Sequence, residues 1–563
     1  MLDNLKNKFL NIFLLFFCLS CNNSQEKSFD QLTNAFFDWY YKTYPVIGSI
    51  NGIHLYDDLF PIFNKATIIN NLDDINRFII ELDQIDPNHL SSELKMDYLI
   101  LNNEMEKIRI DNYENRIYKQ NLIFYLDKIL NSIEYIDYSN SNAFDNYISR
   151  LKYIKPTLQF AKKSLLNKSY NSLHQDVLND IILQLKYKKV FFMNENIDID
   201  TLEFYDSRSV ENLEIFKNWI EIECNKDSIY ISSLDDFNKN LSLILKEQFV
   251  FNEEQANIDL AKLNKKMLNI TLPIYLLDND EPIWMNINDT LEVINKVFTS
   301  FEINNDFSIF DSFKTSLLKI KDNVNNNHIL KISKFDEKKI ILSKNASNHY
   351  EIFNINYPGK FEKNKFLFLN INKFDINSKY DKNKNSYKSH SQIGLDLNII
   401  QNIFPGEYFL ALSSSNKGII NKSFNNIAFE KGWRKYVQEV VIDNVYEYDK
   451  SYKLFQYLEL TQSIINYIVD FKLNTGQIKK EEAIEIMINF GFYQKFEAHK
   501  IVDFILASPG LNSLEYYGYR KIKSIEKEFK KNMGRSFNLK DFNSKLILNS
   551  HMNFVNIKER MMN

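Results

Sequence analysis

In the stretch NIIQNIFPGEYFL (398–410) a Pro-Gly pair interrupts an apolar run and is flanked by Gln401, Asn402, Glu407 and Tyr408. The chain spends few such residues, with 12 glycines and 9 prolines, each about 2% against typical values of ~7% and ~5%. Among the polar neighbours only Glu407 could hold a cation or move a proton as a carboxylate. The amides exchange hydrogen bonds but offer neither charge nor basicity. A metal site would have to be assembled from His349, His390, Glu407, Glu439 and Asp443, the nearest candidates in sequence, and His390 has no partner at HxxxH or HExxH spacing. Nucleophilic chemistry fares no better. There is no GxSxG, Cys224 has no histidine nearby in sequence, and the serines at 413–415 lack a base. Glycine-rich phosphate loops are absent, so nucleotide chemistry has no support.

The elements around this stretch read as helices. In SFDQLTNAFFDWYYKTYP, Phe29, Leu32, Phe36, Trp39 and Tyr40 recur at spacings of three and four, and Pro45 ends the run. Leu72, Ile75, Phe78, Ile79, Leu82 and Ile85 repeat the pattern. Further amphipathic runs are expected over 94–109, 120–136, 143–165, 173–192, 207–223 and 233–268. Between 335 and 375 the pattern turns β-like: KKIILSK and KFLFLNINKF are short and apolar, the latter alternating Phe366 and Phe368 with Leu367 and Leu369. A polar low-complexity loop (377–391) follows. Helices then return over 425–447, 451–474, 480–489, 494–507 and 513–531. The expected fold is mainly α with a small β insert around 335–375. Its parts are a 29–205 N-terminal helical region and a 206–563 helical region that carries the Pro-Gly stretch.

With 563 residues, 44% of them hydrophobic, the chain can bury a large core. Its 69 basic and 73 acidic residues are well mixed, with no basic stripe of the kind that binds nucleic acid. The abundance of Asn, Lys and Ile fits an AT-rich coding bias, so clusters of these residues read as solvated surface. The N-terminus has Lys6 and Lys8, an apolar stretch from Phe9 to Phe17, then Ser20, Cys21 and an abrupt polar turn. That is signal-peptide anatomy (1–20), and a small residue before cysteine is similar to a bacterial lipobox. Cys21 is then the lipidated first residue, with 21–28 as a polar tether and the membrane as a partner. Cys224 alone remains downstream, so no disulfide framework is expected. No later segment is long and apolar enough to span a bilayer.

Several stretches, taken in order, resemble the bacterial domain-of-unknown-function 885 family: FFDWYYKTYPVIGSINGIHLYDD, IIELDQIDPNHLSSELKMDYLIL, RLKYIKPTLQFAKKSLLN, then FPGEYF, KGWRKYVQEVV, YIVDFKLNTGQIKKEEAIEIM, ASPGLNSLEYYGYRKI and MGRSFNLKDFNSKLIL. The resemblance implies a large multi-helix fold of the gluzincin type, zinc as cofactor and peptidase activity. The residues depart from it where that chemistry resides. With the family's HExxPGHH laid on Pro405-Gly406, Gln401 and Asn402 stand for His and Glu, and Glu407 and Tyr408 stand for the two His. The acid of GWALYAE becomes Gln438 in the run from Gly432 and Trp433. The late Asp and His become Asp470 and Asn474, and a Phe-His-Asp becomes Phe542-Asn543-Ser544.

Catalytic zinc needs about three N, S or O⁻ ligands and a base for its water. Neutral amides supply neither, so no metal, no cofactor and no catalytic residue is expected. The reading is a catalytically degenerate, lipid-anchored envelope protein that binds a peptide or a protein partner, and no nucleic acid. Gln401, Asn402, Glu407, Tyr408, Gln438, Asp470 and Asn474 would line a vestigial groove. Two alternatives stand beside it: a hydrolase with a rearranged metal site, and a purely structural envelope lipoprotein.

Overall fold

The computed structural model describes residues 24–166, 168–193, 197–226, 231–278, 287–300, 308–331, 335–345, 353–372, 391–413 and 417–562. Cys21, the leader, His349, His390, Ser414 and Ser415 lie outside the described residues. The fold is mainly α, and the described residues add a two-stranded parallel pair (Ser169–Tyr170 with Asn225–Lys226) and one three-stranded sheet. It divides into two compact units, the first running to Ser228 and adding Gly418–Phe424, the second comprising Ile229–Lys417 and Asn425–Asn563. Position 205, where the expected N-terminal region ends, lies inside the helix Ile199–Glu223.

The first unit opens on α1 (24–43), which takes in residues 24–28 of the expected tether. Glu26 near its start accepts from the Ser91 amide at 3.1 Å, a carboxylate at the positive end of a helix. The apolar stripe of α1 packs as predicted: Phe36, fully buried, meets Phe78 of α2 (Lys65–Asp83) edge to face at 5.5 Å and stacks with Tyr40. α3 (Ser92–Arg109) completes this cluster with Leu101 and Met105. The run 143–165 proves to be two helices, Ala143–Leu151 and Ile154–Ser164. Pro156 sits in the first turn of the second, where a missing N–H costs nothing. A second, polar core lies at Asp57. Its carboxylate takes hydrogen bonds from Ser49, from the Asp137 amide at 2.9 Å and from fully buried Arg150 at 3.4 Å, and pairs with His54 at 2.9 Å. Burial raises this carboxyl, but those donors outweigh it and hold the group below its ordinary range. Ser49 bonds Asp57 and Arg150 rather than histidine, so the cluster is a structural knot and not a nucleophile with its base.

The second unit carries the Pro-Gly stretch. The helical stretches expected over 233–268 are Leu234–Leu245, which ends at Lys246 in a left-handed conformation (φ 56°), and Glu253–Asp278. The β insert is a three-stranded sheet of β1 (Ile340–Asn345), β2 (Phe353–Asn356) and β3 (Leu367–Asn372), with β3 central, parallel to β1 and antiparallel to β2. The alternation holds: Leu367, Leu369 and Ile371 are buried while Phe366 and Phe368 face outward. Four helices surround the point of interest: α4 (Gln392–Asn402), α5 (Ile427–Val445), α6 (Lys450–Asn474) and α7 (Ser513–Met533). α5 packs most extensively on α7. Their axes approach so closely at Gly432 and Gly518 that a Cβ on Gly432 would lie 2.2 Å from the Gly518 backbone, and one on Gly518 would lie 1.8 Å from the Ala428 carbonyl oxygen. Among the described residues no helix is long and apolar enough to cross a membrane.

Candidate functional site

The Pro-Gly turn follows α4 directly and feeds a short helix, Glu407–Ser413. Gly406 folds back on α4 so tightly that a Cβ there would meet the Gln401 carbonyl oxygen at 1.9 Å, and the Trp433 indole donates to the Pro405 carbonyl at 2.9 Å. These two contacts tie the end of α4 to α5. They also answer why both rare residues occur here: glycine permits the close return, and the turn supplies the carbonyl that anchors a fully buried tryptophan.

On α5, residues 431, 434, 435 and 438 share one face at spacings of three and four. On α6, Glu459, Ser463, Asn466, Asp470 and Asn474 form a polar stripe with the same periodicity in a largely buried helix. The two faces meet around Lys435. Its ammonium donates to Gln401 Oε1 at 3.0 Å and to Glu459 Oε2 at 3.2 Å, and stands 4.0 Å from Glu515 of α7. Glu459 also accepts from the Gln401 and Gln438 amides, the latter at 2.9 Å. Ser463 donates to Glu515. The Lys435 and Glu459 side chains are 9% and 6% exposed. Burial raises the Glu515 carboxyl, but Lys435, Arg434, Ser463 and Lys431 together hold it below its ordinary range.

The other predicted site residues fan away from this centre. The Asn402 amide lies 3.4 Å from Asn398 Oδ1, and its carbonyl accepts from Tyr357 at 3.3 Å. Glu407 accepts from Tyr357 at 3.3 Å and lies 3.7 Å from Arg434. Burial lifts its carboxyl above the ordinary range against the pull of Arg434. Tyr408 donates to the Lys365 carbonyl beside β3 at 2.7 Å. Asp470 is fully buried about three turns along α6 from Glu459, where it accepts from the Gly510 and Ser513 amides and the Asn474 amide, each at 2.9 Å, and from the Ser513 hydroxyl at 3.0 Å. Burial pushes this carboxyl up to about 6 while those donors pull it down. Asp470 and Asn474 thus pin the 510–513 turn to α6. Of the seven, the structure brings only Gln401 and Gln438 onto one atom. Glu439, one residue on, turns to Tyr519 at 2.6 Å and Lys523 at 3.4 Å, and Asp443 pairs with Lys453 at 3.6 Å.

Lys435, Glu459, Ser463 and Glu515 escaped the sequence reading. The signal was present in α6, whose periodic polar residues have no exposed face to serve, but it emerges only when that helix is recognised as buried all round. The donor set does not fit a metal ion. Two amides and one carboxylate converge, and an ammonium already neutralises that carboxylate. Among the described residues no three His, Cys, Asp or Glu side chains group as ligands.

Beside Lys435, on the α7 side, lies a cavity of about 260 Å³, partly open to solvent. Its polar wall is Lys431, Arg434, Asn466, Asn512 and Glu515, and its apolar wall is Ile501, Phe504 and Leu511.

Residues 400–552 match the family model described as "Bacterial protein of unknown function (DUF885)". Two solved structures are similar over nearly the whole chain. One is a candidate lipoprotein of unknown function from Shewanella oneidensis (17% identity, TM-score 0.76, 95% of this chain and 100% of that one). The other is a candidate lipoprotein from Colwellia psychrerythraea (12% identity, TM-score 0.72, 95% and 98%). At these identities they show the fold. Among curated proteins, Protein Ycf2 of Physcomitrium patens is 24% identical over 428 residues, 68% of this chain. The chain spans 17% of that relative's length.

Proposed function

We propose that this chain is an exported, lipid-anchored envelope protein on a metallopeptidase-like helical scaffold, and that it binds a peptide or protein partner without metal catalysis. The observation that carries the reading is Lys435. Gln401 and Gln438 occupy the positions that the family resemblance assigns to a histidine ligand and an acid. Both donate to Glu459, and the cation paired with that carboxylate is the chain's own ammonium. A fixed positive charge there makes a divalent ion unfavourable by direct repulsion. It also leaves no basic group to activate water, because Glu459 is committed to three donors. The anchor is supported by Ser20-Cys21 after an apolar leader, together with the lipoprotein descriptions of the two structural neighbours.

Zinc content and zinc affinity of the purified full chain test the reading, with Glu407→Ala and Glu459→Ala as controls. Metal-free protein with no stoichiometric zinc binding is the expected result. One zinc per chain, lost in either variant, would overturn it.

A further inference from the structure

We propose that the cavity beside Lys435 is a binding site for a single carboxylate attached to an apolar body, such as an N-acyl amino acid or the C-terminal residue of a peptide; this deepens, and rests on, the binding reading above. One amide in the polar wall is unpaired, and one cation makes no direct ion pair among the described residues. The Lys431 ammonium donates to the Leu511 carbonyl at 3.1 Å and is otherwise drawn only at longer range, first towards Glu515. Next to Leu511, the Asn512 Nδ2 atom is buried without a hydrogen-bond partner. Asn512 stands directly before α7, yet its side chain makes no capping bond to that helix. A buried amide that neither caps nor pairs costs free energy unless something fills its bond. The two charged neighbours are already engaged: Arg434 with Glu407, and Glu515 with Lys435 and Ser463.

A carboxylate placed between Lys431 and Asn512 would take an ammonium and an amide N–H, a charge-assisted pair. Glu515 in the same wall limits the ligand to a single negative charge, which disfavours phosphate dianions. Ile501, Phe504 and Leu511 then face the ligand's body. The volume is at the lower edge of pockets that hold drug-sized molecules, enough for one residue and not for an extended segment. Burial lowers the Lys431 ammonium from its ordinary range against the opposing pull of Glu515.

The test is calorimetric titration of the purified full chain with N-acetyl-leucine and, separately, with its uncharged carboxamide. The same pair is then repeated on a tripeptide ending in leucine, as free acid and as amide. The acid should bind at least tenfold tighter than the amide, and Lys431→Met should abolish the difference while Lys431→Arg retains it. Tighter binding of the tripeptide acid than of N-acetyl-leucine assigns the site to peptide C-termini; the reverse order assigns it to free acids. Equal affinity of acid and amide, or no binding at millimolar ligand, overturns the proposal whatever the variants do. Zinc measured on the same preparation separates the two ideas. Stoichiometric zinc with acid-selective binding removes the metal-free reading alone, and zinc-free protein indifferent to the carboxylate removes this one alone.

Discussion

Replacing Lys435 by methionine removes the ammonium and keeps most of the aliphatic stem. Glu459, 6% exposed, would then be a buried carboxylate that keeps the amides of Gln401 and Gln438 and has lost its ammonium. Breaking a buried ion pair from one side costs about 3–5 kcal/mol, because the remaining charge has lost both water and partner. The two amide donors soften that loss, which puts the expectation at the lower end, ~3 kcal/mol. At 1.4 kcal/mol per decade this is roughly a hundredfold in the opening equilibrium of the helices around the centre. Hydrogen–deuterium exchange of peptides from α5 and α6 reads that equilibrium locally, which matters in a chain of two compact units where one melting point averages both. The wild type and Lys435→Met should differ by about two decades in exchange rate at these helices. Adding Glu459→Gln to the variant should recover most of it, since a neutral pair has no stranded charge. A change below threefold, or a double variant as labile as the single one, would refute the claim that Lys435 serves as the centre's internal cation.

Two further expectations follow from the packing and the titrating groups. Gly432→Ala should destabilise the second unit by about 3 kcal/mol or more, as overpacking against a neighbouring backbone does, because its Cβ would meet Gly518 at 2.2 Å. Gly418→Ala, with open space around it, should change stability by less than about 1 kcal/mol, and equal urea midpoints for the two variants would contradict the close helix crossing. His551, which accepts from Lys417 at 2.9 Å, is driven down to about 3 by burial and by the charges of Lys417, Arg560 and Lys246. Since its folded value lies below the unfolded 6.5, its contribution is present above 6.5 and lost as pH falls from there towards 3. Asp470, raised to about 6 from 3.8, works in the opposite sense: its contribution is fully present below 3.8 and lost as pH rises through about 6. The comparison must therefore be between proteins. The fall in Tm from pH 7 to pH 5 should be smaller in His551→Gln than in wild type, and parallel profiles would exclude the histidine as a source of acid sensitivity.

How much of this was legible in the residues varies with the range of the interaction concerned. Helix periodicity placed α5, α6 and α7 to within two residues or so, because each buries a stripe set by local spacing, whereas α1 begins several residues before its apolar stripe. The alternation around Phe366–Leu369 found the central strand of the sheet for the same reason. The helix end at Lys246 was not legible, since a lysine gives no sign that it will adopt a left-handed conformation. The absence of histidines from 398–410, around Pro405-Gly406, was equally plain in the chain, as a matter of residue chemistry that needs no coordinates.

What took the centre's place was decided only by tertiary structure. Gln401, Lys435, Glu459 and Glu515 sit on four different helices, and nothing in their spacing says that they meet. Lys435 reads as one more lysine in a lysine-rich chain. It becomes the centre's cation because Gly432 and Gly518 let two helix backbones touch one turn away, which drives the following turn of α5 into a space too tight for water to solvate the charges. Sequence determined which side chains could act there. The depth of burial, set by backbone approach between distant helices, determined which of them do.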